Sequence, residues 1–319
     1  MIKHSMSIMG IRLNTKTYFK EYKKSFKRNY DLYLLLIPVI IFYLIFHYGP
    51  MYGVQIAFKD FLAVEGIMGS PWVGFKHFDK FFNSYYFFRL IYNTISISFL
   101  QLIFSFPAPI ILALMINELG VGKFKKAIQN ITYAPHFLST VVIVGMLTNF
   151  LSPNTGFINN ILEFFGQEPI AFLTEPSWFK AIYVTSGVWQ NAGWSSIIYI
   201  AALSGIDPEI HEAAKIDGAG KLQRIRHINL PGIVPTMVIL LILNVGGIMN
   251  VGFEKIFLMQ NDLNLEVSDV ITTYSYKMGI QGAQYSFSAA IGLFNSVINF
   301  ILLIVVNKFA KKLTENSLW

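Results

Sequence analysis

Apolar residues in this chain come in long, nearly unbroken runs rather than in the spaced stripes of a soluble core. Six runs stand out, near residues 32–48, 91–116, 131–151, 181–203, 233–251 and 287–306. A hydrocarbon layer about 30 Å thick needs roughly 20 apolar residues in helical form, and each run approaches or reaches that length. None alternates with period two, as a membrane strand would. Inside lipid a segment must satisfy its own backbone hydrogen bonds, which a helix does. The pattern predicts an all-α integral membrane protein with six transmembrane helices. It divides into a basic segment at 1–30, a membrane domain at 31–310 and a tail at 311–319.

Charge gives this arrangement a direction. Eighteen of the 25 Lys and Arg residues share the side of the two termini: 8 before the first run, 3 in the second connection, 4 in the fourth and 3 after the last run. The other connections carry only 7. By the positive-inside rule both termini and the fourth connection are expected on the cytoplasmic side, the chain crossing the cell membrane repeatedly. The net charge of +7 is then a topological signal, not a nucleic-acid footprint. Charged residues make up 13% of the chain, about half the usual globular share.

The first 30 residues include Lys20, Lys23, Lys24, Lys27 and Arg28 ahead of the first run. No small-residue cleavage site follows, so the first run reads as an uncleaved signal anchor. Its basic lead-in either lies on the anionic inner leaflet or is a disordered tail. The connection at 49–90 is rich in Gly, Pro and aromatic residues, as in GPMYGVQIAFKDF and PWVGFKHFDKFF. It suggests a folded outer cap, or interfacial anchoring alone. SPNTGFINNILEFFG predicts a turn and a short amphipathic helix. Pro107, Pro109 and Pro135 are expected to bend the second and third helices.

Enzyme chemistry finds no foothold. There is no cysteine, which removes disulfides and thiolate sites. The six histidines have no metal-ligand spacing. Gly122-Lys123 and Gly220-Lys221 imitate phosphate loops, but the first glycine and the Ser or Thr after the lysine are missing at both. No cofactor is expected on this chain.

The most informative polar stretch is EAAKIDGAGKLQRIRHINLP, between the fourth and fifth runs. Asp207-Pro208 is suited to start a helix, and Glu209 and Glu212 complement its dipole. Ala213 and Ala214 offer a small face, and Gly218 and Gly220 permit a reversal. A second short helix is expected over 221–227, ended by Leu230-Pro231. The product is an L-shaped knob.

This stretch resembles the EAA loop of permease subunits in binding-protein-dependent ABC importers. The matching positions are Glu212, Ala213, Ala214, Asp217, Gly218, Ala219, Ile228, Leu230 and Pro231; Ile225 departs, since an aromatic is common there. Together with GPMYGVQIAFKDF, VGFKHFDKFF, Asn93-Thr94 and WQNAGWSSIIYIAALSGIDPEIHEAAKIDGA, it is similar to the carbohydrate-uptake permeases, most of all the LplB-like branch. The resemblance implies a type I importer permease fold like that of the maltose permease. It implies import of oligosaccharides or polysaccharide fragments by alternating access. Partners implied are a second permease subunit, an ABC ATPase dimer docking on the EAA loop and carrying ATP and Mg, and an extracytoplasmic solute-binding protein.

Sugar contacts are expected from aromatic and amide groups inside helices. Trp189, Asn191 and Trp194 in the fourth helix and Asn244 and Asn250 in the fifth are the candidates, with inter-helix hydrogen bonding as the competing role. An ion-coupled secondary sugar transporter is the alternative, but it typically needs ionisable groups in mid-membrane, and the helix centres here are almost free of them. A phosphotransferase membrane component, a membrane enzyme and a structural scaffold fit less well.

Overall fold

The computed structural model describes residues 25–120, 122–314 and 317. Residues 1–24, which hold Lys20, Lys23 and Lys24, lie outside it, as does most of the tail beyond 314. The chain divides into two compact units, Met1–Gln55 and Ile56–Trp319.

In the first unit the described residues from Tyr30 on are helical. Helix α1 (Tyr30–Tyr43) has no buried side chain and runs into a π turn, Leu44–Tyr48, then Gly49–Met51. The π turn just before Pro50 has a physical reason. Proline lacks an N–H and crowds the carbonyl four residues back, so widening the turn relieves both defects.

The second unit opens with the Gly-, Pro- and aromatic-rich connection, which is folded into a cap. An isolated antiparallel bridge joins Lys59 to Trp72, and helix α2 (Lys76–Phe82) follows. Phe58 stacks on Trp72 with centroids 5.7 Å apart. Asp60 accepts hydrogen bonds from Lys76 Nζ at 2.6 Å and faces His77 Nε2 at 3.0 Å.

The remaining long elements are α3 (Phe87–Ser105), α4 (Pro107–Asn117), α5 (Lys123–Tyr133), α6 (Thr140–Phe150), α7 (Phe157–Phe164) and α8 (Pro176–Ser204). Then come α9 (Pro208–Ile216), α10 (Lys221–Arg224), α11 (Leu230–Gly246), α12 (Phe253–Met259), α13 (Leu265–Ser268), α14 (Ile271–Tyr276) and α15 (Tyr285–Thr314). Helix α8 packs on α4, α3 and α11, and α15 packs on α11. Three buried clusters hold this bundle: one around Ile97, Phe179 and Ile256, one around Phe81, Leu90 and Ile291, and one around Ile110, Tyr199 and Ile233.

Among the described residues, four helices are long and apolar enough to cross a membrane: Tyr30–Phe58, Phe87–Asn117, Lys221–Gly246 and Tyr285–Lys312. The expected third span is not one rod. Lys123–Phe137 and Thr140–Phe150 meet at 99°. Pro135 lies buried in a tight turn, Ala134–Phe137, and Ser139 caps α6 by accepting from the Val142 N–H at 3.4 Å. Counted as one span, the pair is a fifth candidate. The fourth run forms a 29-residue helix, but its Ser, Thr, Gln, Asn and Gly residues hold it below the apolarity of the others. Pro107 interrupts the second span only slightly, with α4 restarting two residues after α3 ends. The fifth run is helical only to Gly246, where paired glycines end it, so Asn250 lies beyond the helix.

Small and polar side chains set the close approaches. Asn93 Nδ2 donates to the Glu266 carbonyl at 2.8 Å and to that of Asp269 at 3.0 Å, and Thr94 Oγ1 accepts from the Ile271 N–H at 3.1 Å. Both are buried and tie α3 to the segment before α14. At Gly193 the backbone of α8 meets that of α5 so closely that a Cβ would collide with the Thr132 carbonyl.

Candidate functional site: an exposed knob and a polar cavity

The EAA segment folds much as its residues dictate. Asp207 caps α9, accepting from the Glu209 N–H at 2.9 Å, and Pro208 fills the first turn. At the other end Gly218 has φ +78°, its N–H reaches the Lys215 carbonyl at 3.1 Å, and the Ala219 N–H reaches that of Ala214 at 2.8 Å. This is a Schellman closure, in which a left-handed residue lets the last carbonyls find donors. Gly220 takes ordinary extended angles, so only Gly218 requires glycine at this turn. Gln223 Oε1 reaches back to the Gly220 N–H at 2.8 Å and starts α10.

One expectation fails here. Leu230-Pro231 does not end the second short helix. A π turn over Ile225–Asn229 joins α10 directly to α11, giving a continuous helix over Lys221–Gly246. The widened turn absorbs Pro231 as the first unit's π turn absorbs Pro50. The knob is therefore the bent end of a long rod.

Its surface is unusual for a charged loop. Ile216 is 87% exposed and Leu222 79%, with Ile210 half exposed. Glu212, Ala213, Asp217 and Gly218 are exposed as well, while Ala214 and Ala219 are partly covered. An open hollow of about 360 Å³ lies beside them, lined by Ala214, Asp217, Gly218, Ala219, Gln223 and Arg224 among others. Leu230 is partly and Pro231 not at all withdrawn from the surface, at the base of the rod. Arg224 turns inward to Glu118, just beyond α4, at 3.8 Å, and buried Asn229 donates to the same carboxylate at 3.4 Å.

A second feature lies within the bundle. A cavity of about 350 Å³ is walled by α3, α4, α8, α11 and the turn after it. Asn191, Asn244 and Asn250 line it, with Ser98, Gln101, Ser105 and Ser195, so hydroxyls and amides face a space between apolar helices. The Ser105 hydroxyl is buried there with no hydrogen-bond partner. Two of the asparagines also bind protein. Asn244 donates to its own helix at Leu240, 2.8 Å away, and Asn250 accepts from Asn295 at 2.7 Å. The hydrogen-bonding role expected for asparagine thus coexists with a place in the wall.

The tryptophans lie elsewhere. Neither Trp189 nor Trp194 lines the cavity, and both are about half exposed. Trp194 stacks on His136, centroids 4.8 Å apart and planes 4° from parallel, with Phe137 edge-on at 5.4 Å. His136 Nδ1 lies 3.1 Å from Asn191 Oδ1. The shared face of Asn191 and Trp194 therefore grips the bend between α5 and α6. His136 belongs to no sequence motif, and only the fold shows its part in this contact.

Behind the cavity wall at Gly187 stands a residue that sequence reasoning passed over. Lys255, on α12, is 8% exposed, and burial pushes its ammonium pKa down to about 8. Its Nζ donates to the Tyr183 carbonyl at 3.1 Å and lies 5.0 Å from the Tyr183 ring centroid.

Comparison with known proteins agrees with this architecture. Residues 84–315 match the family described as "Binding-protein-dependent transport system inner membrane component". The chain is 45% identical to Protein LplB of Bacillus subtilis (strain 168) over 293 residues, 92% of each chain. It is 43% identical to the polygalacturonan/rhamnogalacturonan transport system permease protein YteP of the same organism, over 90% of each. Among solved structures it resembles a chain of a bacterial ABC transporter involved in the import of the acidic polysaccharide alginate. The TM-score is 0.85 at 44% identity, covering 92% of this chain and 99% of that one. The same transporter in complex with an alginate pentasaccharide-bound periplasmic protein gives a TM-score of 0.84. The helical bundle, the capped knob and the extent of these matches together establish that this chain belongs to the binding-protein-dependent transport system inner membrane component family.

Proposed function

We propose that this chain is the permease subunit of an ABC importer for oligosaccharides or polysaccharide fragments, acidic ones included. The observation that carries the reading is the knob: a closed, capped turn with exposed Ile210, Ile216 and Leu222, rigidly continuous with a membrane-crossing helix. Apolar side chains held out on an ordered polar loop favour a partner that covers them. An ATPase dimer is that partner, and Glu212, Ala213, Ala214, Asp217, Gly218 and Ala219 form the docking surface. Leu230 and Pro231 begin the shaft.

In this reading the chain crosses the membrane six times, the broken third span and the polar fourth included, with both termini cytoplasmic. ATP and Mg bind the partner, and this chain contributes no catalytic residue. Closure of the ATPases moves the knob, and packed helices shift as bodies between inward-open and outward-open arrangements. Asn191, Asn244 and Asn250 offer amides to sugar hydroxyls in the cavity, while Trp189 and Trp194 face a second permease subunit or the path between the two. The binding protein delivers sugar to the outer side, where the cap at Asp60 and Trp72 stands. The relatives named for polygalacturonan and alginate support an oligosaccharide cargo.

The test is isolation of the chain from native membranes in mild detergent, with companions identified by mass spectrometry. A second permease and an ATPase, the latter cross-linking through Gly218→Cys, are the expected companions. Recovery alone, with no ATPase even after cross-linking, would overturn the reading in favour of an ion-coupled secondary transporter.

A further inference from the structure

The outer connections hold seven cations, and three pair with carboxylates. Lys76 pairs with Asp60, and Arg89 and Lys277 share the buried Asp269 at 3.7 and 3.3 Å. Of the four others, Lys59, Lys80 and Lys180 bond to neutral groups away from the cavity, and Lys255 alone stands against its wall. No carboxylate lies within ion-pair distance of it among the described residues. Its ammonium has three donors, and the contacts found are one carbonyl and one aromatic face. A buried cation so poorly compensated is costly and calls for a purpose beyond packing.

Its position supplies one. Gly187 lines the cavity, and a Cβ built there would stand 3.5 Å from Lys255 Nζ. Gly252, three residues before Lys255, lines the same cavity. Thus the wall between the ammonium and the polar space is a residue with no side chain. The four-carbon stem of lysine is flexible enough to turn Nζ past that gap. The rest of the wall mixes hydroxyl and amide groups, suited to sugar hydroxyls, with apolar side chains, and supplies no charge.

We propose that Lys255 is the anion-recognising group of this cavity, receiving the carboxylate of a uronic acid residue as an acidic oligosaccharide passes. This rests on the importer reading above and narrows its cargo. A charge-assisted hydrogen bond between ammonium and carboxylate is roughly twice as strong as a neutral one. It is formed where water is scarce, so it selects charged sugar over its neutral counterpart. The ammonium's single strong contact, to the Tyr183 carbonyl, leaves two donors for the ligand.

The experiment uses the complete importer, this chain with its companion subunits and binding protein, in proteoliposomes. Uptake of oligogalacturonate is measured against uptake of the same oligomer fully methyl-esterified. Wild type should favour the charged oligomer. Lys255→Gln should lower the charged-to-esterified ratio about tenfold, and Lys255→Arg should restore most of it. ATPase stimulation by loaded binding protein reports assembly in each variant. A ratio unchanged in Lys255→Gln, or one that falls equally in Lys255→Arg, would overturn the proposal, as would wild-type uptake of the ester alone. Loss of uptake in step with ATPase stimulation would mean a structural lysine and overturn it too. If wild type moves neither oligomer and its ATPase does not respond to binding protein, the importer reading itself fails.

Discussion

The Glu118 carboxylate lies 3.8 Å from the Arg224 guanidinium, joining the end of one membrane helix to the inner side of the exposed knob. Both side chains are largely covered, with 20% and 12% of their surface exposed. Asn229, wholly buried, donates to the same carboxylate at 3.4 Å. The knob is thus fastened to α4, and through α4 to α8, which packs along it. Glu118→Ala should destabilise the chain by about 1–3 kcal/mol, because Arg224 and Asn229 lose their acceptor. Glu118→Ala with Arg224→Ala should cost less than the sum of the single changes. Thermal unfolding in detergent measures this; strictly additive losses would show that the two groups do not interact.

Gly218 tests the knob's shape with little threat to the fold. Its φ of +78° disfavours any side chain by about 1–2 kcal/mol, yet nothing stands within 4 Å of a Cβ there. Gly218→Asp should therefore insert and fold while losing the partner ATPase on purification. Glu212→Ala should weaken the same association. Full co-purification and wild-type uptake in both variants would count against docking at this surface.

Gly193 and Gly246 look alike in sequence and should not behave alike. A Cβ at Gly193 meets the backbone of Thr132, which cannot move aside without shifting α5. At Gly246 it meets the end of the Leu303 side chain, which can rotate. Gly193→Ala should cost about 1–3 kcal/mol and disturb the bend at Pro135, while Gly246→Ala should cost less. Comparative melting temperatures decide this.

The cap around Asp60 should respond to acid. Asp60's pKa is lowered, chiefly by its hydrogen bond from Lys76, with the charges of Lys76 and His77 adding to the effect. A carboxylate with a depressed folded pKa contributes stability that is present above its unfolded pKa and lost as pH falls through the folded one. The cap should thus loosen below the ordinary carboxylate range, and Asp60→Asn should remove that dependence. Fluorescence of Trp72, stacked on Phe58, can follow it.

Local signals in the sequence carried a long way in this protein. Asp207, Pro208 and Gly218 do in space what their chemistry foretells, because capping and left-handed turns depend on near neighbours only. The all-helical membrane architecture follows equally from the apolar runs. The misreadings arise where one helix depends on another. Pro135 announced a bend, but its 99° angle rests on the Gly193 contact with Thr132 and on the His136–Trp194 stack, both long-range. Leu230-Pro231 looked like a stop because proline usually ends a helix; a π turn, with no sequence signature of its own, carried the helix through. Asn191, Asn244 and Asn250 were legible as polar groups in apolar helices. Lys255 was not, since it belongs to a polar connection outside the apolar runs and only burial sets it apart.

The unbroken course of Lys221–Gly246 has a mechanical meaning. Its 26 residues make an arm of about 39 Å, joined at one end to the knob and at the other to the cavity wall beside Asn244. The π turn at Ile225–Asn229 and Pro235 within the shaft are the two places where it can flex. Where they hold, the arm acts as a lever: a tilt of about 5° about one end moves the other by about 3 Å, enough to break or make a hydrogen bond.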